Sequence, residues 1–148
     1  MPRSPFQPAP IDPNADSSQR NWSQWTHLVG LLSAFPWVTF VGLIGTAGLW
    51  LVRRNQSEFI DDHGREALNF QISILLYSSA GTLASMFAGG SVGALAAVAV
   101  GALTIYGGIR GATAAGRGEY FRYPMCLRFI HDGDEILGRR AARHAAPY

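Results

Sequence analysis

Between Leu28 and Val52 the chain runs for 25 positions without a charged side chain. At about 1.5 Å of rise per residue, a helix of that length reaches roughly 37 Å. The hydrocarbon core of a bilayer is about 30 Å thick. Two further runs lack charge, Ala67 to Phe87 and Val92 to Ile109. The pattern predicts an all-α integral membrane bundle of three transmembrane helices, over about 28–52, 67–87 and 92–110. Pro36 falls inside the first and should kink it, because proline removes a helical hydrogen bond and crowds the preceding turn. The other arrangement, an interfacial helix ending near Phe35 followed by a separate piece from Trp37, leaves that piece shorter than the usual span of ~20 residues. If residues 20–35 inserted on their own, the count would become four and the orientation would reverse.

Punctuation agrees with this division. Trp22 and Trp25 mark entry into the headgroup region, where an apolar ring with one polar N–H is at home. Arg53 and Arg54 close the first span, and Asp61 or Asp62 is expected to cap the second. Ala88-Gly89-Gly90-Ser91 reads as a tight turn that makes the second and third spans a hairpin.

Within the second span, Glu66, Asn69, Ser73, Tyr77, Ala80 and Ala84 share one helical face. Polar side chains at membrane depth normally face protein or water, so this face should point into the bundle. In the third span Gly93, Ala97 and Gly101 recur every four positions, and Gly107 and Gly111 repeat the spacing. Such residues let helix backbones approach closely, either within the hairpin or across an oligomer interface.

The ends differ in composition. Five prolines fall in the first thirteen residues, so 1–26 is expected to be a disordered or extended Pro-rich tail. Residues 27–130 form the transmembrane domain. The segment EYFRYPMCLRFI, aromatic and basic, is expected to be interfacial. Residues 131–148 form a charged cytoplasmic tail with a short helix over 134–143.

A formal charge of +2 without a basic, aromatic stripe excludes a nucleic-acid reader. Cys126 is the single cysteine, which excludes an intrachain disulfide. His27, His63, His131 and His144 lack metal-ligand spacing, and no nucleophile–base pair is legible. Neither a cofactor, a metal nor an enzymatic activity is expected. All twelve basic residues are arginine, which suits a GC-rich bacterial genome. With three spans, ten of the twelve arginines share one side. The positive-inside rule then places the N-terminus outside and the C-terminus in the cytoplasm, in a bacterial inner membrane. The 63–71 and 118–124 segments would lie at that same face, bringing Glu66 within reach of Arg122 or Arg128.

The strings HGREALNFQIS from His63 and GEYFRYPMCLRFI from Gly118 carry a resemblance. Together they resemble a bacterial membrane-protein family of unknown function, described as similar to the twenty-kilodalton channel-like component of the chloroplast inner-envelope import translocon. The resemblance covers residues 25–130. It implies an all-helical membrane domain and a role in a translocation or assembly complex. The residues singled out as motif or interaction positions are His63, Glu66, Asn69, Phe70, Gln71, Arg122, Tyr123, Pro124 and Arg128. The expected function is a non-enzymatic accessory or scaffold subunit that contacts the lipid bilayer and binds other membrane proteins or itself. The alternative is a small oligomeric transporter or channel lined by Asn69, Ser73 and Tyr77.

Overall fold

A computed structural model describes residues 10–35 and 38–130 of the protein. Asp16 begins the first helix, α1 (Ser17–Gly30): its carboxylate accepts the Gln19 amide at 2.8 Å, satisfying a donor that the helix leaves free. α1 tightens into a 3-10 turn, Leu31–Ala34. Phe35 then adopts φ −104° and ψ 119°, the extended geometry imposed on a residue before proline. The second helix, α2 (Thr39–Arg53), runs back. Ser33 Oγ donates to the Thr39 carbonyl at 3.1 Å and fastens the reversal.

The expected single kinked helix over 28–52 is therefore corrected to two antiparallel helices; Pro36 itself lies outside the described residues. Contacts descend in order along the pair. Arg53 donates to Ser18 Oγ at 3.3 Å, the Trp22 indole to the Leu49 carbonyl at 3.0 Å, and Thr46 Oγ1 to the Thr26 carbonyl at 3.4 Å. At 15 residues, α2 reaches only about 22 Å.

Ser57 caps the third helix, α3 (Glu58–Ala88), by accepting the Phe59 and Ile60 amides at 3.1 and 3.4 Å. The helix thus starts ahead of the acidic pair expected to cap it, and Asp61 lies in its first turn. Gly89 takes φ 93°, a left-handed conformation suited to a residue without Cβ, and α4 (Gly90–Gly116) returns antiparallel. α3 and α4 are long and apolar enough to cross a bilayer. Among the described residues all regular elements are helical.

Close approaches hold the four helices together. Gly64 on α3 receives the Trp50 indole, and Gly108 on α4 receives Leu31. A Cβ at Gly93 would stand 2.6 Å from that of Ser85, so Gly93 packs within the α3–α4 hairpin. Among the described residues Gly101 has no heavy atom within 4 Å of a Cβ position, and Ala97 and Gly101 line an open groove of about 780 Å³ beside the α1–α2 turn. Among the described residues nothing covers the far half of the hairpin: Met86 is 76 % and Phe87 85 % exposed.

Residues 10–12 pair with the chain after α4. Asp12 N–H donates to Gly118 O at 2.8 Å, Tyr120 N–H to Pro10 O at 3.0 Å, and Tyr120 O–H to the Asp12 carboxylate at 2.9 Å. The N-terminal segment and the post-α4 chain thus share one end of the bundle. This corrects the expectation that they lie on opposite faces, and the reason is the added reversal between α1 and α2. Residues 17–26 are helical rather than part of a disordered tail. The expectations for 1–9 and 131–148 fall outside the described residues.

Candidate functional site: a buried polar seam on α3

Residues 121–130 form neither helix nor strand. Rather than lying across the bundle end, they run along α3, reversing at Pro124 and Met125, where Met125 takes φ 55°. An irregular segment at such a position must find partners for its backbone, since unsatisfied amides in an apolar setting cost several kcal/mol each. The polar face of α3 supplies them. Glu66 accepts the Tyr123 amide at 2.9 Å. Asn69 Oδ1 accepts the Phe129 and Ile130 amides at 3.0 and 2.8 Å, while its Nδ2 donates to the Ile130 carbonyl at 2.9 Å. Ser73 Oγ accepts the Leu127 amide at 2.9 Å, and Tyr77 O–H donates to the Met125 carbonyl at 2.6 Å. The face that helical spacing singles out is thus a ladder for an extended chain.

Ion pairs brace the ladder. Arg128 reaches Glu66 at 3.2 Å, and Arg122 grips both oxygens of Asp62 at 2.6 Å. Arg122 also stands 4.0 Å from Glu66. Next to them Arg117 holds Glu119 at 2.8 Å and keeps its carboxyl below the usual carboxylate range.

Behind the ladder lies a second set of bonds. The Tyr123 ring stacks on Phe70, with centroids 3.9 Å apart and planes 8° from parallel. Its hydroxyl meets His27 Nδ1 at 2.7 Å, His27 Nε2 meets His63 Nδ1 at 2.8 Å, and His63 Nε2 meets the Glu119 carbonyl at 3.1 Å. Both imidazoles are buried. The carbonyl can only accept, so His63 Nε2 carries a proton. With neutral rings every direction follows: His63 Nδ1 accepts from His27 Nε2–H, and His27 Nδ1 accepts from Tyr123 O–H. Burial, then the charge of Glu66, push the Tyr123 hydroxyl above its ordinary pKa, which keeps it a donor. All four imidazole nitrogens are thereby committed to protein partners.

Two glycines of α4 make this possible. A Cβ at Gly111 would lie 2.8 Å from His27 Nδ1 and 2.9 Å from the Tyr123 oxygen. One at Gly107 would lie 2.7 Å from the Phe70 ring.

The structure brings His63, Glu66, Asn69, Phe70, Arg122, Tyr123 and Arg128 to this seam. Pro124 occupies its exposed turn. Gln71 does not join it: its amide donates to the Gly30 carbonyl at 2.9 Å, on the side facing α1, and its buried Oε1 has no hydrogen-bond partner among the described residues. Asn69, Ser73 and Tyr77, the residues a pore would have used, direct their polar groups to the 125–130 chain. Sequence reasoning missed His27, Asp62, Gly107 and Gly111 as parts of the site. For His27 the only signal was a lone histidine preceding an apolar run. For the glycines it was a repeat that also reads as helix packing.

The comparisons with known proteins can be set beside this geometry. No curated protein and no solved structure matches the chain. A family model described as the magnetosome magnetite crystal formation protein family matches residues 18–130, from the first turn of α1 to the last residue of the ladder. This supports membership of a bacterial membrane family, and it lends no support to the likeness to a plastid translocon component. Both halves of the seam lie inside the matched region, and the chain belongs to the magnetosome magnetite crystal formation protein family.

Proposed function

We propose that this protein is a non-enzymatic accessory component of a bacterial membrane in which magnetite crystals form. The observation that carries the reading is the commitment of the buried polar groups of the seam: the ladder and the imidazoles are spent on internal bonds. Such a seam fixes shape; it leaves no free acid–base pair for turnover. The described arginines gather at the end that holds the 54–57 loop and the post-α4 chain, which by the positive-inside rule is the cytoplasmic end. Both the start of α1 and the chain after α4 then face the cytoplasm, with the Gly89 turn on the opposite side. Held in this way, the polar end is a rigid platform on which other membrane proteins or further copies can assemble.

The test is complementation in a magnetite-forming bacterium that lacks its own member of the family. Restored crystal number and size on electron micrographs, with restoration lost in Asn69→Leu despite normal membrane insertion, is the expected result. Crystals unaffected by the wild-type protein would sink the proposal.

A further inference from the structure

α3 fixes where the bilayer sits. Its charge-free run from Ala67 to Phe87 rises about 31 Å, and a hydrocarbon core is about 30 Å thick. The run fits with nothing to spare, so Glu66 stands at one boundary and the Gly89 turn follows the other. α4 agrees. Gly107 faces the Phe70 ring, so Arg110, the first charge on that helix, comes level with the start of the run.

The other described elements turn back halfway. Trp50 of α2 rests on Gly64, on the polar side of the Glu66 boundary. Thr39, at the other end of α2, lies about 16 Å deeper. There Ser33 and Thr39 border the same groove as Leu75 and Ser78 of α3 and Gly101 of α4. The α1–α2 pair therefore reverses near the middle of the bilayer. The 121–130 segment does the same. It is tied to Ser73 through Leu127 and to Tyr77 through Met125, residues about 10 and 16 Å below Glu66, and it returns to Asn69 at Ile130. Both elements dip from the polar end, and both turn apolar side chains outward. Phe40, Val41 and Ile44 on α2 are exposed, as are Met125, Leu127 and Phe129 on the extended chain. Apolar surface at that depth meets acyl chains.

The two leaflets thus receive different amounts of protein. Among the described residues, the half at the polar end holds parts of four helices and both arms of the extended hairpin, and the other half holds α3 and α4 alone. A helix with its side chains is about 10–12 Å across and occupies about 90 Å² of membrane, so α1 and α2 alone widen one leaflet by about 180 Å².

We propose that the molecule is a wedge whose partner is a curved bilayer. It prefers membranes whose leaflet at the polar end is convex, because bending opens that leaflet and closes the other. With the polar end cytoplasmic, this is the curvature of a vesicle or bud surrounded by cytoplasm. The preference follows from shape and stands apart from any role in crystal formation; only the side it favours in the cell rests on that orientation.

The experiment uses the full chain, carrying a small dye at its N-terminus, in giant vesicles of phosphatidylcholine and phosphatidylglycerol. It compares protein density on a narrow tether drawn from the vesicle with density on the vesicle body. Molecules with the polar end outward should be enriched several-fold on the tether, more so as it narrows, and molecules inserted the other way should be depleted. Met125→Asp/Leu127→Asp/Phe129→Asp, which draws the extended hairpin out of the hydrocarbon, should weaken the enrichment, and Leu95→Ala on the narrow half should keep it. Equal density on tether and body would overturn the proposal, as would the same enrichment in both orientations or full enrichment in the triple variant. Depth is read separately from a nitroxide on Leu127→Cys in a Cys126→Ser background. It should collide with oxygen and not with a water-soluble nickel chelate; nickel collisions would place the hairpin in water and overturn the wedge. Disulfide cross-linking of two copies through Gly101→Cys in the same background would show a second copy covering the narrow half, and would overturn it too.

Discussion

Gly111 has space for a hydrogen and no more. A methyl group there would press on His27 Nδ1 and the Tyr123 oxygen at 2.8 and 2.9 Å. Gly111→Ala is expected to lower stability by about 1–3 kcal/mol, the usual cost of overpacking, read as a lower unfolding temperature in detergent. Gly101→Ala meets nothing within 4 Å and should be neutral or gain up to about 1 kcal/mol from helix propensity. A loss at Gly101 as large as at Gly111 would show that a partner covers that face. Cys126 offers a second test at this scale. Burial, then the negative charge of Glu66, push its thiol from 9.0 up to about 11. The thiolate is the reactive form, so at pH 8 alkylation by iodoacetamide should run about a hundredfold slower than for an ordinary thiol and recover as pH approaches 11. Glu66→Gln removes the charge and should speed the reaction at pH 8. Free-thiol rates in the folded wild type would contradict this assignment.

The ladder on α3 acts as one element. Asn69 alone makes three hydrogen bonds to residues 129 and 130. Asn69→Leu should leave α3 helical and release the end of the extended segment, seen as faster hydrogen exchange of the Phe129 and Ile130 amides, by about tenfold or more. Unchanged exchange would mean that packing, not the ladder, holds it. Helical periodicity places Glu66, Asn69, Ser73 and Tyr77 on one face, so the ladder's donor side was legible. Its other side was not, because residues 123–130 have no period and are recognised only by what they touch. The pairing of Glu66 with an arginine could be anticipated, since it needs only that two loops share an end. Pro36 marks the break inside 28–52 but fits a kink as well as a reversal, and the reversal rests on Ser33 meeting Thr39 and on the geometry of Phe35. A separate helix ending near Phe35 is one of the arrangements the sequence allows, but its start at Ser17 is hard to place because the first half of α1 is polar.

For the whole molecule, the pairing of residues 10–12 with 118–120 has a direct consequence for topology. Reporters fused to the N-terminus and to the C-terminus should give the same sidedness, and a reporter inserted at Gly89 the opposite one. Alkaline phosphatase should be silent at both ends and active at Gly89. Opposite readings at the two ends would refute the shared end.

The chain of bonds from Tyr123 through His27 and His63 to Glu119 also bears on how the molecule is made. Its members emerge from the ribosome at widely separated times, and the imidazole of His27 waits for a phenol that arrives after the last long helix has been synthesised. Until then two neutral rings share a single bond, and His27 Nδ1 has no donor. The closing residue is thus a certificate of completeness. A chain that stops short of Tyr123 leaves the buried His27 nitrogen without the hydroxyl that completes the series.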